Sequence, residues 1–176
     1  MLKHANRPTE KCGNNVERLM QGLAAILDKK KRVEDFLQGI QSGEYIMRVI
    51  TDNEEAICKL NSETQLYERG IDATGVKIAD YAPYKPFTIE VKRAKGQPTD
   101  RVTLRDTGAF HKSFYLVVDT DKVTFYASDK KTAKLINKYG GEIFGLTPPN
   151  LDTLITDYIF PALSYAGKKL IYGLPT

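Results

Sequence analysis

Residues 100–114, DRVTLRDTGAFHKSF, join two kinds of local pattern, since the chain before them is mostly helix and loop and the chain after them begins a hairpin. Residues 102–104 favour an extended conformation, Asp-Thr-Gly at 106–108 can cap a short helix, and Ser113 begins a predicted strand. The pattern therefore predicts a strand–helix–strand corner. Its apolar members should face the core: Leu104, Phe110 and Phe114. Its charged members are left for solvent or a partner: Arg101, Arg105, Asp106 and Lys112.

A resemblance to a known family rests on residues 104–114, LRDTGAFHKSF, and on residues 67–75, YERGIDATG. These runs resemble the tail-completion or head-tail joining proteins of tailed bacteriophages, also called minor tail or virion morphogenesis proteins. The similarity extends from about Ile50 to about Leu170. In that family the leucine, Thr-Gly and serine signature follows a long helix and precedes a two-stranded segment, and a pair such as Tyr139-Gly140 comes later. The chain departs from the family at residues 148–150, where Pro-Pro-Asn stands in place of Pro-Arg.

The resemblance implies a structural virion protein at the neck of a tailed phage, made in the host cytoplasm and built into the virion. It would join the connector or portal side to the tail-tube side as one of a ring of identical copies around the DNA channel. It implies neither an enzymatic activity nor a cofactor. A ring needs a heterologous interface, in which one face of each subunit meets a different face of the next. The candidate faces are the long second helix and the hairpin.

Length and composition limit the other interpretations. The chain has 176 residues, of which 41% are hydrophobic, and this is enough for one ordinary domain with an extension. A formal charge of +4 is small for a dedicated nucleic-acid binder. Cys12 and Cys58 lack the spacing of a metal site or a disulfide framework, so both are expected to be inert thiols in a reducing compartment. No apolar run is long enough to span a bilayer, and the first residues lack the apolar stretch of a signal peptide.

Hydrophobic periodicity predicts a helical N-terminal part, residues 1–43, and an α+β domain, residues 44–176. In the first part, residues 1–13 should be a polar, mobile end, and apolar residues at spacings of three, four and seven predict an amphipathic helix over 15–38. A second helix over 44–69, ended by Gly70, would be roughly 39 Å long. That length exceeds what a small domain needs, so part of this helix is expected to serve a neighbouring subunit.

The remaining elements predict a small antiparallel sheet. Alternation over 87–92 predicts a strand, and residues 114–118 and 122–128 predict the central hairpin. A short helix should follow over 130–138. A last helix begins after Thr147 and should kink or split at Pro161. The predicted fold is thus a small antiparallel sheet with a central hairpin, packed by a long helix and a kinked C-terminal helix.

One segment resembles a catalytic motif. On a strand, Glu90 and Lys92 share a face, as in nucleases of the restriction-endonuclease type, where the acid binds a divalent metal ion and the lysine stabilises charge. Asp80 is the only plausible second acid. The sequence therefore leaves a Mg²⁺-dependent nuclease as an alternative function. Because Glu-x-Lys is common by chance, a solvated strand face with a cross-strand ion pair is the favoured interpretation.

Other chemistry-bearing residues favour structural roles. His4 and His111 have no metal ligands at suitable spacing and are expected on the surface, so no zinc site is predicted. Residues 29–32, KKKR, are expected to be a solvated helix face rather than a phosphate-binding patch. The scattered glycines predict no nucleotide site. The tyrosines are expected in packing and subunit contacts rather than in base stacking: Tyr81, Tyr84, Tyr115, Tyr126, Tyr139, Tyr158, Tyr165 and Tyr172.

A basic cluster gives the one predicted contact with DNA. Five cations come from one short stretch and could line the lumen of a ring: Lys92, Arg93, Lys95, Arg101 and Arg105. Modest attraction without sequence specificity would suit DNA that must pass through. The same basic loops leave a small DNA-binding module as a further alternative.

Overall fold

A computed structural model describes residues 10–173 of the chain, with side chains from residue 16 onward. Helices surround one antiparallel hairpin, so the α+β class is confirmed. The first half contains α1 (Glu10–Gln41), α2 (Glu44–Asp52), α3 (Glu54–Lys59), a π-helix (Leu60–Arg69), α4 (Ile78–Tyr81) and α5 (Pro86–Ala94). The second half contains α6 (Ala109–Lys112), β1 (Phe114–Val118), β2 (Val123–Ala127), α7 (Thr132–Tyr139), a 3₁₀ turn (Gly141–Ile143), α8 (Pro148–Leu154), a second π-helix (Ile155–Ile159) and α9 (Phe160–Tyr172).

Among the described residues, the contacts of helix α1 with the rest of the protein come from its C-terminal part. Phe36 packs edge-on against Tyr45 with ring centroids 5.4 Å apart, and the Nζ of Lys29 donates to the carbonyl of Ile171 over 2.8 Å. Every residue from Val16 to Arg32 is exposed. The predicted helix is confirmed and is longer than expected, and it ends before Gly43, whose φ of 78° suits glycine. Most of the predicted mobile end, including His4, lies outside the described residues.

The predicted second helix is confirmed in outline as α2, α3 and the first π-helix, with a break at Asn53. Gly70 ends it in the left-handed conformation with a φ of 66°. This helix forms the centre of the core, with Ile57 and Leu66 buried, and the expectation that part of it serves a neighbour stays a prediction. Its length is used to span the domain, since the hairpin, α8 and the second π-helix all pack along it.

The predicted hairpin is confirmed, with Phe114 opposite Ala127 and Val118 opposite Val123. The predicted strand over 87–92 is wrong, because these residues belong to α5. Pro86 occupies the first helical turn, where its missing N–H costs nothing, and its fixed φ favours helix. Residues 102–104 form no strand either, so within residues 10–173 the sheet has two strands.

The short helices and the C-terminal kink are where the sequence predicts them. Helix α6 and helix α7 match the predicted corner helix and the predicted helix over 130–138. Near the C-terminus, the π-helix ends just before Pro161, which lies in the first turn of α9. A proline clashes with the carbonyl four residues earlier, and the wider π-helical turn accommodates that clash.

The core has an aromatic part and a polar part. Phe110 packs edge-on against Phe114 at 5.1 Å between centroids, and both contact Phe144. The buried amide of Gln65 accepts from the backbone N–H of Thr147 over 2.9 Å. It also donates to the carbonyl of Gly145 over 3.1 Å. These hydrogen bonds join the central helix to the segment that begins α8, some 80 residues later.

Candidate interaction surfaces

Lys92 does not fit a channel-lining role, because its side chain is only 6% exposed. Its ammonium donates to the carbonyl of Arg105 over 2.6 Å and to the Oε1 of Gln97 over 3.0 Å. It also reaches the Oγ1 of Thr103 at 3.4 Å and lies 5.0 Å from the ring centroid of Tyr84. Buried ammonium groups need such acceptors. Lys92 therefore holds the fold together.

The geometry assumed for the nuclease alternative is also wrong. Residues two apart on a helix point roughly 200° apart, so Glu90 and Lys92 do not share a face of α5. Glu90 is exposed whereas Lys92 is buried, and Asp80 is an exposed residue of α4. No group of three or more His, Cys, Asp or Glu side chains in the described part of the chain could hold a metal ion.

Two of the other predicted channel residues have internal partners. Arg101 donates to the carbonyl of Tyr67 over 3.0 Å, and Arg105 forms an ion pair with Glu63 at 2.9 Å. The guanidinium of Arg105 also lies 4.5 Å from the ring centroid of Tyr67. Both arginines thus brace the 101–105 segment against the first π-helix.

Arg93 and Lys95 are the exposed members of the predicted cluster. The Nζ of Lys95 lies 2.7 Å from Asp106, and Lys131 contacts the other oxygen of that carboxylate at 3.3 Å. The two lysines, as the first cause, hold the pKa of Asp106 below its ordinary value. Arg93 and Lys95 could meet a polyanion without disturbing the core.

The expectation that His111 lies on the surface is wrong, because the ring is buried. Its Nε2 lies 2.9 Å from the carbonyl of Thr103, which can only accept, so Nε2 carries the proton of the neutral ring. Its Nδ1 has no hydrogen-bond partner and lies 3.7 Å from Glu63. Burial lowers the pKa of His111, although the nearby Glu63 opposes that effect. His111 is therefore a neutral core residue at pH 7.

His111 and Lys92 together fix the strained residue of the central stretch. Leu104 has a φ of 53°, a conformation that costs a side-chain-bearing residue about 1–2 kcal/mol. His111 binds the carbonyl before Leu104, on Thr103, and Lys92 binds the carbonyl after it, on Arg105. Residue spacing gives no sign of this clamp, because its two members come from α5 and α6.

A groove of about 650 Å³ opens beside this clamp, between α5, the 104–110 segment and the start of α7. Asp106 joins its two sides through Lys95 and Lys131. Apolar side chains form much of its wall: Val91, Leu104, Phe110 and Leu135. Such a groove could take an apolar group with an anionic neighbour that competes with Asp106 for the lysines. The adjacent lysines Lys130 and Lys131 line this groove, and this pair is the feature of the sequence that indicates its basic rim.

Helix α1 carries a row of exposed apolar side chains. Its exposed members are Val16, Leu19, Met20, Leu23, Ile26, Leu27 and Leu37. We call the first six, which belong to the part of α1 away from the body, the α1 stripe. The predicted solvated face at 29–32 is exposed, with Lys30 and Arg32 in ion pairs to Glu34 and Asp28.

The outward side of the hairpin carries a second, smaller apolar surface. Tyr115 of β1 stacks on Tyr126 of β2 with ring centroids 5.6 Å apart, and Val117 is exposed two residues after Tyr115 on β1. Tyr139, in contrast, is buried in the core. Some tyrosines thus serve packing, and those of the hairpin are available for contacts between molecules.

Comparisons of the chain with protein-family models, with curated proteins and with solved structures find no match. No helix within residues 10–173 has the length and apolar character that a bilayer crossing requires. Inferences about function therefore start from the surfaces described above.

Proposed function

We propose that this chain is a structural virion protein at the head-tail junction of a tailed phage. In this proposal identical copies form a ring around the DNA channel and join the connector to the tail. The observation that carries the proposal is the α1 stripe, a long apolar helix surface that no other part of residues 10–173 covers. The resemblance of residues 104–114 to head-tail joining proteins supports the identity of the assembly.

The α1 stripe favours an assembly subunit over a monomer. Leu19 is 72% exposed, Ile26 is 66% exposed and Leu23 is 50% exposed. Contiguous apolar surface of this kind marks an interaction site in soluble proteins. Most of the stability of a helix in a protein comes from packing of its amphipathic face, and the stripe part of α1 is exposed within the described residues. Another molecule that covers the stripe would remove this apolar surface from water and would stabilise the helix.

A ring requires two different faces on each subunit. The α1 stripe replaces the second helix as one face, because the apolar side of the second helix is buried in the core. The hairpin remains the other candidate, with Tyr115, Val117 and Tyr126 exposed. The DNA-facing cations are reduced to Arg93 and Lys95, which attract a phosphate backbone without sequence specificity.

Quantitative mass spectrometry of purified phage particles tests the proposal. We expect the chain in mature particles at a small, fixed ratio to the portal subunit. Light scattering after size-exclusion chromatography should show a discrete oligomer of the purified chain. Absence from particles would refute the neck role, and a Mg²⁺-dependent plasmid-nicking assay would then test the enzymatic alternative.

Charge reversal tests the DNA-facing residues separately. The double variant Arg93→Glu and Lys95→Glu should stay folded and lose only about 1 kcal/mol of stability, because both side chains are exposed and the lost Lys95–Asp106 ion pair is a surface pair. We expect slower or less complete DNA ejection from particles that carry it. The matched control is Lys112→Glu together with Lys134→Glu, which reverses two exposed charges elsewhere. Equal ejection by both variants would show that Arg93 and Lys95 do not face DNA.

A further inference from the structure

The apolar residues of α1 follow a seven-residue repeat. Spacings of three and four alternate along the whole helix, through Val16, Leu19, Leu23, Ile26, Lys30, Val33, Leu37 and Ile40. In the heptad notation abcdefg these residues occupy positions a and d in turn. A strict alternation of this kind is typical of helices that pair with other helices, because it keeps one seam facing the partner.

The structure divides this repeat into two parts. Towards the C-terminus, Val33 and Ile40 are half-buried, and the neighbouring Phe36 packs on Tyr45 of the same chain. Towards the N-terminus, every residue from Val16 to Arg32 is exposed, and among the described residues the hydrogen bond from Lys29 to the carbonyl of Ile171 lies beside the repeat rather than on it. At 1.5 Å per residue, the uncovered residues 16–32 form a rod of roughly 25 Å.

From this we infer that the α1 stripe packs against the α1 stripe of adjacent copies of the same chain, with the helices parallel. The inference rests on the proposed ring and names the surface through which its subunits meet. In a parallel arrangement a second copy presents the same repeat at the same level along the helix axis, so apolar positions meet apolar positions along the whole of residues 16–32.

The width of the stripe fits contact with two neighbours. Met20 and Leu27 occupy position e, beside the a and d residues, and both are exposed. At 100° per residue the stripe spans roughly 120° of the helix surface, wider than the seam of a two-stranded coil. In a ring each helix meets one copy on either side, and a wider apolar face serves both contacts.

Charges beside the stripe favour the parallel direction. Lys29 occupies position g and Glu34 occupies position e of the next heptad, the two positions that face each other between parallel helices. Pairing with Glu34 of an adjacent copy requires Lys29 to exchange its hydrogen bond to the carbonyl of Ile171 for this contact. The side chain of Glu34 is 61% exposed and pairs only weakly with Lys30 of its own helix, at 3.4 Å. Lys30 is the one charged residue at position a, and such a residue fixes register at a cost in stability.

Cysteine cross-linking of the full chain tests the pairing. The background carries Cys12→Ser, and Cys58 is expected not to react because burial raises the pKa of its thiol to about 11. Leu23→Cys places a thiol in the stripe, and the control Gln21→Cys places one on the opposite side of the same helix. A short bis-maleimide should link Leu23→Cys into dimers and higher species and leave Gln21→Cys monomeric on a denaturing gel.

The outcomes separate this inference from the proposed ring. If light scattering shows a discrete oligomer but Leu23→Cys links no faster than Gln21→Cys, the ring uses another surface and only the α1 pairing is refuted. If the chain is a monomer at every concentration, the ring is refuted together with the pairing.

Replacing Lys30 gives a second, independent readout. Lys30→Leu removes the single charge at position a and should lower the concentration of half-assembly about tenfold, which corresponds to ~1.4 kcal/mol. Lys31→Leu makes the same change at position b, outside the stripe, and should leave assembly unchanged. Equal effects of the two substitutions would contradict the heptad pairing.

Discussion

Lys92→Met tests whether the buried ammonium holds the central stretch. The substitution keeps a long apolar side chain but removes the donor for the carbonyl of Arg105, at 2.6 Å, and for Gln97, at 3.0 Å. Hydrogen bonds from a charged donor contribute ~1.5–3 kcal/mol each. Two lost bonds would therefore cost about 3–6 kcal/mol.

Two effects offset part of that cost. Methionine avoids the desolvation of a buried charge, and release of the Arg105 carbonyl lets Leu104 leave its strained conformation, which is worth ~1–2 kcal/mol. We therefore expect a net loss of about 2–4 kcal/mol in the free energy of unfolding. With a urea slope of ~1–3 kcal/mol per molar, the unfolding midpoint should fall by roughly 1–3 M.

Urea titration followed by circular dichroism measures this loss, and Arg93→Met is the matched control. Arg93 is the next residue on α5, is exposed, and should change stability by less than ~0.5 kcal/mol. If Lys92→Met unfolds at the same urea concentration as Arg93→Met, the hydrogen bonds of Lys92 do not stabilise the fold and the clamp on Leu104 is refuted.

Three further predictions concern single buried or constrained residues. Gly70→Ala should cost about 2–4 kcal/mol in urea unfolding, because its added Cβ would lie 2.9 Å from another side-chain carbon at a φ of 66°. In the control Gly43→Ala the added Cβ meets no atom within 4 Å, so the free energy of unfolding should fall only by the ~1–2 kcal/mol that a positive φ costs. Equal losses in the two variants would rule out the clash at Gly70. Because burial lowers the pKa of His111, the unfolded chain binds its proton more readily, so stability should be full above pH 6.5 and fall as the pH drops below it. His111→Gln should reduce the change in the free energy of unfolding between pH 7 and pH 5. An unchanged pH dependence would mean that another group is responsible. In a Cys12→Ser background, Cys58 should resist thiol reagents at pH 8 until urea unfolds the chain, and rapid labelling of the native protein would contradict its burial.

The hairpin could be predicted from sequence because its signals are local. Two β-rich runs flank Asp119-Thr120-Asp121, and the backbone N–H of Asp119 closes the turn on the carbonyl of Lys122 over 2.8 Å. The strand at 87–92 was wrong because Phe87, Ile89 and Val91 satisfy a strand alternation, while Phe87 and Val91 also stand four residues apart, as on a helix. Because the run is so short, its periodicity does not distinguish a strand from a helix, and Pro86 in the first turn was the better indication of a helix.

The burial of Lys92 and His111 could not be predicted from nearby residues. The acceptors of Lys92 lie up to 13 residues along the chain, and Glu63 precedes His111 by 48 residues. These groups meet only after α5, α6 and the first π-helix have packed. Periodicity likewise predicts which side of α1 is apolar, but it does not predict that Val16 to Arg32 stay exposed while Val33 and Ile40 are half-buried.

The hydrogen bonds of Gln65 have a consequence for the timing of folding during synthesis. Its amide joins Asn150, 85 residues later in the chain, as well as Thr147. At ~5–20 residues per second, a ribosome needs roughly 4–17 s to add that segment after Gln65. During this interval the central helix lacks the groups that satisfy its buried amide, so the domain cannot close until residues 147–150 have been made. A chain that stops before Thr147 would expose this unsatisfied helix to chaperones and proteases.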